Sequence, residues 1–300
     1  MIVNKIPVFS VIIPLYNSEK HIKNTIQSVL NQTYDSWELI VVDDCSTDNS
    51  REIVREIERN DRRIRLITSD KNFGGPAKPR NIGIKSSQGK YIAFLDSDDI
   101  WYSDKLDVCL QCFNDSVDVV YHDLVIFGNK RKYFRNKLRG RKLKVPVLED
   151  LLVNGNGLNN SSVVVRHEII KKVNYIDESK DVIAAEDFNL WLKIASISQN
   201  FKYISSDLGG YYVGDNNISS KNMSTCLRFA ADEFAKQLSY KQFLRYESIV
   251  DYTNGRYLYL NKEYMKSVEY LIKVLSDGGY KIKIKSMYML CIIYFRRIKL

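Results

Sequence analysis

A chain of 300 residues with 45% hydrophobic content is long enough for one large domain, or a domain with an appendage, and carries too much apolar character to be a disordered or fibrous protein. Its net charge of +9 is concentrated in two places: nine Lys or Arg and no acid between Asn129 and Lys144, and six more without an acid from Tyr280 to Leu300. Without those segments the remainder is acidic, so the basicity is local and points to a partner surface.

The 5 cysteines are odd in number and scattered. Cys109-x-x-Cys112 has redox or zinc spacing, but neither a second pair nor a His cluster accompanies it. A pair of structural thiols on one helix face and a reducing, cytoplasmic compartment are expected. The apolar run near the N-terminus is broken by Pro7 and Pro14, unlike a signal peptide. Met287 to Phe295 is apolar but far shorter than the roughly 20 residues of a membrane-spanning helix.

In chain order, Val8 to Leu15 reads as a buried strand and His21 to Leu30 as a helix, from the spacing of Ile22, Ile26, Val29 and Leu30. Trp37 to Val42 is a second strand, after which Ser46 or Thr47 is placed to cap a helix running to about Asn60. Ile64 to Thr68 is a third strand. The loop Asn72-Phe73-Gly74-Gly75-Pro76 leads into a helix containing Ile82 to Ser86, and Tyr91 to Leu95 is a fourth strand. This alternation predicts a mostly parallel sheet with helices on both faces. A helix is expected over Ser103–Phe113, a strand within Val117–Phe127, a helix over Val147–Val153 and a strand over Ser161–Val165. Helices at Glu168–Val173 and Phe188–Ser196 and two short strands, Tyr203–Ser205 and Gly210–Val213, follow. Composition changes near Lys221, and helical patterns continue to the end, including a hairpin of Tyr252–Leu260 and Lys262–Leu275. The division read from sequence is residues 1–220 and a basic helical appendage, 221–300.

Four polar clusters follow these elements. Asp43-Asp44 closes the second strand, where a carboxylate can accept a hydrogen bond from a nucleobase or serve as a turn residue. In the Gly74-Gly75 loop, glycines admit a ligand to the backbone, and Lys78 and Arg80 can neutralise a diphosphate. It is not a Walker A loop, because no Gly-Lys-Ser/Thr ends it. Asp96, Asp98 and Asp99 arrive within four positions after the fourth strand. Carboxylates so close repel unless a cation or hydrogen-bond donors compensate, and hard oxygens on a short turn suit Mg²⁺ or Mn²⁺ held jointly with a phosphate. A solvated, helix-capping turn is the alternative. Glu186-Asp187 opens a helix, where either the helix dipole or a general-base role accounts for paired acids.

Together these clusters resemble family 2 glycosyltransferases, inverting enzymes with the Rossmann-like GT-A fold. The matching text is PVFSVIIPLYN (Pro7–Asn17), WELIVVDDCSTDNS (Trp37–Ser50), NFGGPAKPRNIG (Asn72–Gly83), GKYIAFLDSDDIW (Gly89–Trp101) and AAEDFNLWLKIA (Ala184–Ala195), five motifs in order over residues 7–220. The resemblance implies an α/β GT-A domain with a C-terminal helical appendage. It implies a nucleoside pocket at Pro14 and Tyr16, uracil recognition by Asp44, and donor contacts from Arg80 and Asp96. It further implies Asp98 as ligand of Mn²⁺ or Mg²⁺, Asp187 as catalytic base, and Glu186 and Trp191 beside the acceptor sugar, with Trp191 equally readable as helix core. The implied reaction moves a hexose or N-acetylhexosamine from a nucleotide sugar, favouring UDP through Asp44, to a glycan or lipid-linked acceptor in the synthesis of bacterial surface polysaccharide such as lipopolysaccharide. Two departures stand out: Pro79 precedes Arg80-Asn81 where relatives carry Ala, and no cation follows Tyr211-Tyr212 until Lys221.

The basic tail, with Ile282, Ile284, Met287, Tyr288, Leu290, Ile293, Tyr294 and Phe295 between its charges, is expected to contact an anionic membrane peripherally, at the cytoplasmic face of the inner membrane. A sugar nucleotidyltransferase, a non-catalytic nucleotide-sugar binder and a nucleic-acid-binding protein are the rival readings. No nucleic-acid module supports the last, so no nucleic acid is expected among the partners. His122 and His167 read as core or surface histidines, not metal ligands.

Overall fold

The computed structural model describes residues 6–128, 136–214 and 222–298. Packing divides the chain into two units, Met1–Lys142 with Gly157–Glu178 and Ile197–Asp215, and Leu143–Asn156 with Ser179–Ser196 and Asn216–Leu300.

The first unit is built on a 9-stranded sheet. Its leading half alternates strands and helices as the hydrophobic runs require: β1 (Phe9–Leu15), α1 (Ile22–Leu30), β2 (Trp37–Asp43), α2 (Ser50–Glu58), β3 (Ile64–Thr68), α3 (Ala77–Lys85) and β4 (Tyr91–Phe94). These four strands lie parallel in the order β3-β2-β1-β4, so their carboxyl ends share one edge. That edge of an open α/β sheet is where ligands bind. Phe9, Val11, Ile13, Leu39, Val41, Tyr91 and Ala93 are buried together, which is why the strands read as unbroken apolar runs.

The second half of the sheet is mixed. After β5 (Ile100–Trp101) and α4 (Lys105–Cys112) come β6 (Val119–Gly128), β7 (Lys137–Leu138), β8 (Val164–Arg166), α6 (His167–Lys172) and β9 (Phe201–Val213). β8 inserts antiparallel between β4 and β6, whereas β9 runs parallel to β6. The two short strands expected over 203–213 are one strand. Register shifts against β6 around Asp123 break its alternation and mimic a gap in the sequence pattern.

Neither Ser46 nor Thr47 caps α2. That helix begins at Ser50 after Asn49 at the cap position, and the Asp48 side chain accepts from the Ser50 N–H at 3.0 Å. Pro14 sits in a central strand without cost. Ile12 O accepts from Leu95 N, so the nitrogen of Pro14, two residues on, faces the same side, where β4 has ended. Pro79 lies in the first turn of α3, where backbone N–H groups have no intrahelical partner.

The second unit is helical: α5 (Val147–Asn154), α7 (Glu186–Ala195), α8 (Ser224–Ala235), α9 (Tyr240–Leu260), α10 (Tyr264–Asp277) and α11 (Tyr280–Ile298). α5 packs on α7, α8 and α9, so this unit gathers two earlier stretches of chain in addition to the expected C-terminal appendage. The expected hairpin is α9 and α10, closely apposed at Gly255, where an added Cβ would meet Leu271 at 3.0 Å. Phe229 of α8 is 58% exposed. No described helix is long and apolar enough to cross a membrane.

Gly89 fixes how closely the turn before β4 approaches β1. An added Cβ there would lie 2.5 Å from Ser10 Oγ and 2.6 Å from Ser10 N, a contact that side-chain movement alone does not relieve. Gly89→Ala is expected to destabilise the protein by about 1–3 kcal/mol, read as a lower urea midpoint at unchanged slope.

Candidate functional site

The loops after β1, β2 and β4 are stitched to one another by short polar bonds. The Asn17 side chain accepts from Thr47 N at 2.8 Å, Ser18 N donates to Ser50 Oγ at 2.7 Å, and the hydroxyls of Ser18 and Ser97 lie 2.7 Å apart. Asn17 at φ 47° and Cys45 at φ 60° adopt left-handed backbone in these turns. Tyr16, just past β1, is 51% exposed, and Pro14 is half-buried.

Asp43 and Asp44 are both buried and have separate duties. Asp43 takes the Arg51 Nε at 2.8 Å and thereby anchors α2. Asp44 accepts from Phe73 N with both carboxylate oxygens, at 3.0 and 3.1 Å, and so holds the loop that Gly74 turns at φ 81°. Burial pushes the Asp44 carboxyl up, opposed by the Phe73 hydrogen bond. Oδ1 also accepts from Ser69 Oγ at 3.4 Å.

The acid turn is the densest charge cluster. Arg80, projecting from α3 and 4% exposed, donates from Nη2 to Asp96 Oδ1 at 2.6 Å. The same oxygen accepts from Asn160 Nδ2 at 2.9 Å, and Asp96 N donates to Ser161 Oγ at 3.0 Å. Asp99 is buried, its Oδ1 accepting from Tyr212 N at 2.8 Å. Burial, then the charges of Asp98 and Asp96, hold its carboxyl well above the usual range. Asp98 is half-buried, and burial together with Asp96 pushes it up to about 7. Thus Asp96 is paired with a guanidinium, Asp99 is enclosed with one backbone donor on Oδ1 and no hydrogen-bond partner for Oδ2 among the described residues, and Asp98 is left half-buried beside Asp96.

Trp101 fixes the far end of the turn. Its Nε1 donates to Ser161 O at 2.7 Å, and the ammonium of Lys105 lies 3.4 Å from the ring centroid. Lys105 is fully buried, and burial lowers its pKa to about 8. A cleft of about 610 Å³ opens beside the turn, lined by His21, Asn24, Gln27, Tyr102 and Phe127, with Asp98 on its wall. Asp98, a half-buried acid of the turn, therefore borders accessible space.

Among the described residues no cluster of three or more His, Cys, Asp or Glu forms a complete metal cage. The donor set fits a different mode, in which a hard divalent cation binds through one or two carboxylates and otherwise through substrate phosphates. The half-buried Asp98 at the cleft, its anion disfavoured by its surroundings, is the observation that meets this requirement. His122 and His167 do not contribute. His122 is fully buried and lowered by burial to about 3, and His167 Nδ1 donates to Gly89 O at 3.0 Å. Cys109 and Cys112 are free thiols on α4, and burial raises Cys109 to about 11, which keeps it inert.

Two expectations about cations change. Lys78 pairs with Glu178 at 2.8 Å, and Arg80 is committed to Asp96, so neither stands open to a diphosphate as drawn from sequence. Lys221 lies outside the described residues, as do residues 129–135 of the basic stretch. Asn160 and Ser161, which hold Asp96, escaped the sequence reading. The polar run Asn159-Asn160-Ser161-Ser162 before β8 was the available signal.

In the second unit, Glu186 and Asp187 occupy the first turn of α7, entered through Ala184 at φ 76°. Asp187 is half-buried and Oδ1 accepts from Phe188 N at 2.6 Å, whereas Glu186 is 5% exposed. Trp191 is 0% exposed. With no surface to offer a sugar it is helix core, and the acceptor role expected of it is withdrawn.

A family model for glycosyl transferase family 2 matches residues 10–171. An uncharacterized glycosyltransferase of Haemophilus influenzae is 33% identical over 227 residues, 74% of this chain and 85% of its own length. WfgD of Escherichia coli, a UDP-Glc:alpha-D-GlcNAc-diphosphoundecaprenol beta-1,3-glucosyltransferase, is 35% identical over 188 residues, 62% of this chain and 68% of its own. TuaG of Bacillus subtilis, named for teichuronic acid biosynthesis, is 47% identical over 105 residues, 35% of this chain and only 41% of its own length. In architecture the chain is similar to Staphylococcus aureus TarS residues 1–349 in complex with UDP-GlcNAc, at TM-score 0.63 and 22% identity, covering 89% of this chain and 81% of that one. A mannosyltransferase from Pyrobaculum calidifontis in complex with GDP-Man and Mn²⁺ gives TM-score 0.63 at 15% identity, covering 96% and 81%. These likenesses place the fold in the GT-A class.

The electrostatics of the acid turn have a measurable sign. Between the ordinary carboxylate pKa of 3.8 and about 7 the folded chain keeps a proton on Asp98 that the unfolded chain releases, so this group costs stability as pH rises through that window. Asp98→Asn is expected to raise Tm at pH 8 by on the order of 2–4 °C and to leave it unchanged near pH 4. In differential scanning fluorimetry, adding Mn²⁺ with UDP is expected to stabilise the unsubstituted chain more than the variant.

Proposed function

This chain belongs to glycosyl transferase family 2, and we propose that it transfers a hexose or N-acetylhexosamine from a nucleotide sugar, UDP-linked by preference, to a hydroxyl of a lipid-linked glycan during synthesis of a bacterial surface polysaccharide. The observation that carries this reading is the turn Asp96–Asp99, held at the carboxyl end of β4 by Arg80, Asn160 and Ser161 with Asp98 at an open cleft. WfgD, acting on a diphosphoundecaprenol-linked sugar, supports the acceptor class, and TuaG, named for teichuronic acid, supports the pathway class.

In the proposed complex the exposed Tyr16 ring stacks on the base, Pro14 floors the pocket, and Asp44 accepts a hydrogen bond from the uracil imide. Asp96, kept in place by Arg80, would contact the ribose, and Asp98 would hold Mn²⁺ or Mg²⁺. When bound, that cation supplies Lewis-acid stabilisation of the departing diphosphate. Because Arg80 is tied to Asp96, it acts by fixing the acid turn and adding positive potential beneath it. Asp187 takes the proton from the acceptor hydroxyl as its oxygen attacks the anomeric carbon. The bond from that carbon to the diphosphate breaks on the opposite side, its electron pair leaving with the diphosphate. A single displacement inverts the anomeric centre.

Asp187 is the only acid of the α7 pair assigned a role, since Glu186 has almost no accessible surface. Asp187→Asn is expected to lower kcat by at least about 100-fold with the donor Kd unchanged by calorimetry, whereas Asp98→Asn lowers kcat and weakens donor binding together. The assay is a panel of nucleotide sugars with Mn²⁺ or Mg²⁺ and a lipid-diphosphate-linked sugar, with products identified by mass spectrometry. A new sugar nucleotide in place of a glycoside would establish the nucleotidyltransferase reading instead, and near-normal turnover in Asp187→Asn would remove the base assignment.

A further inference from the structure

α11 has two apolar faces, and only one is used. Ser286, Met289 and Ile293 are buried on the side that packs against α9 and α10, with Met289 and Ile293 joining Leu271 in a small core. At about 100° per residue, Ile284, Met287, Tyr288, Tyr294 and Phe295 fall on the opposite side, and they are between 47% and 64% exposed. Of the tail residues expected to enter a membrane, Ile293 is therefore core, and Ile282 and Leu290 are half-buried toward it. The same helical geometry puts Lys281 and Lys285 along one border of the exposed stripe and Lys283 along the other. The Lys283 ammonium is steadied by Ser276 O at 2.7 Å, and that of Lys285 by the Tyr252 ring at 5.8 Å. There is no acid anywhere in α11.

We infer that this outer face of α11 is a docking surface for an anionic lipid bilayer, on which the helix lies parallel to the surface. An apolar stripe rich in Tyr and Phe and bordered on both sides by lysines matches the layered chemistry of the interface: acyl chains below the stripe, anionic headgroups beside its edges. The lysine stems cover apolar surface while their charges stay at headgroup level. A second copy of the chain is a poor occupant, because pairing two such faces would set lysine borders against each other with no acid on either helix. Membrane docking is independent of the transfer reaction, since it is read without donor or acceptor.

The test is flotation of the full chain with vesicles of phosphatidylcholine alone and of equal parts phosphatidylcholine and phosphatidylglycerol, at low and high salt. Binding is expected to the anionic vesicles only and to fall at high salt. A triple variant, Met287→Ser with Tyr288→Ser and Phe295→Ser, and a separate one, Lys281→Gln with Lys283→Gln and Lys285→Gln, are each expected to bind at least about tenfold less. Both are expected to keep the Tm of the unsubstituted chain and its activity on a water-soluble acceptor. Absence of binding at low salt, equal binding to neutral vesicles, or unchanged binding by the variants overturns the inference. So does a dimer, seen by light scattering, that the serine variant dissociates, because the face would then belong to a second copy. Vesicle binding without any glycosyl transfer would uphold the inference and count against the reaction proposed above.

Discussion

Three carboxylates within four residues at the end of a buried strand are the constraint around which the first unit is arranged. Like charges at that spacing disfavour their own ionisation unless the protein supplies donors. It supplies them unequally. Arg80 reaches across from α3 to Asp96, Asn160 adds an amide proton to the same oxygen, and the backbone of β9 gives Asp99 its donor at Tyr212. Among the described residues Asp98 has no comparable partner, and burial beside Asp96 pushes it up to about 7. The imbalance is the useful part: a turn with every charge satisfied would have no remaining demand for a cation or a cationic ligand.

This arrangement explains why distant pieces of chain converge. α3 exists where it does because its inner side fits against β1 and β2: an added Cβ at Gly83 would lie 2.8 Å from Ile12 and 3.3 Å from Val42. That close fit carries Arg80 to the acid turn. β8 enters antiparallel beside β4, bringing Asn160 and Ser161, and Ser161 in turn fixes Trp101 through its carbonyl. Removing Asp96 would leave the buried Arg80 guanidinium without this partner. The network is thus structural support and functional site at once.

The helical unit shows how an average conceals a pattern. α11 has a modest overall apolarity because its lysines are interspersed, and a simple count of its hydrophobic residues assigns all of them to one purpose. Packed on α9 and α10, the helix splits them into an inner set that joins Leu271 and an outer set that meets solvent. The burial of Trp191 follows the same logic in reverse. An aromatic beside two acids reads as a sugar platform until the helix is seen to turn it inward.

The amino-acid sequence by itself determined the elements that depend on local pattern. Strands β1 to β4, the parallel order implied by their alternation with helices, and the position of every acid at a strand or helix end follow from hydrophobic runs and their terminators. The five motifs also mark the family. Pairings across the fold were not legible, because they depend on which strand lies beside which. The insertion of β8, the capture of Arg80 by Asp96 and of Lys78 by Glu178, and the continuity of β9 through its register shifts are tertiary facts. So is the gradation within the acid turn. The sequence shows three equivalent aspartates after Leu95; burial and the reach of Arg80 and Tyr212 make one paired, one enclosed and one left short of charge.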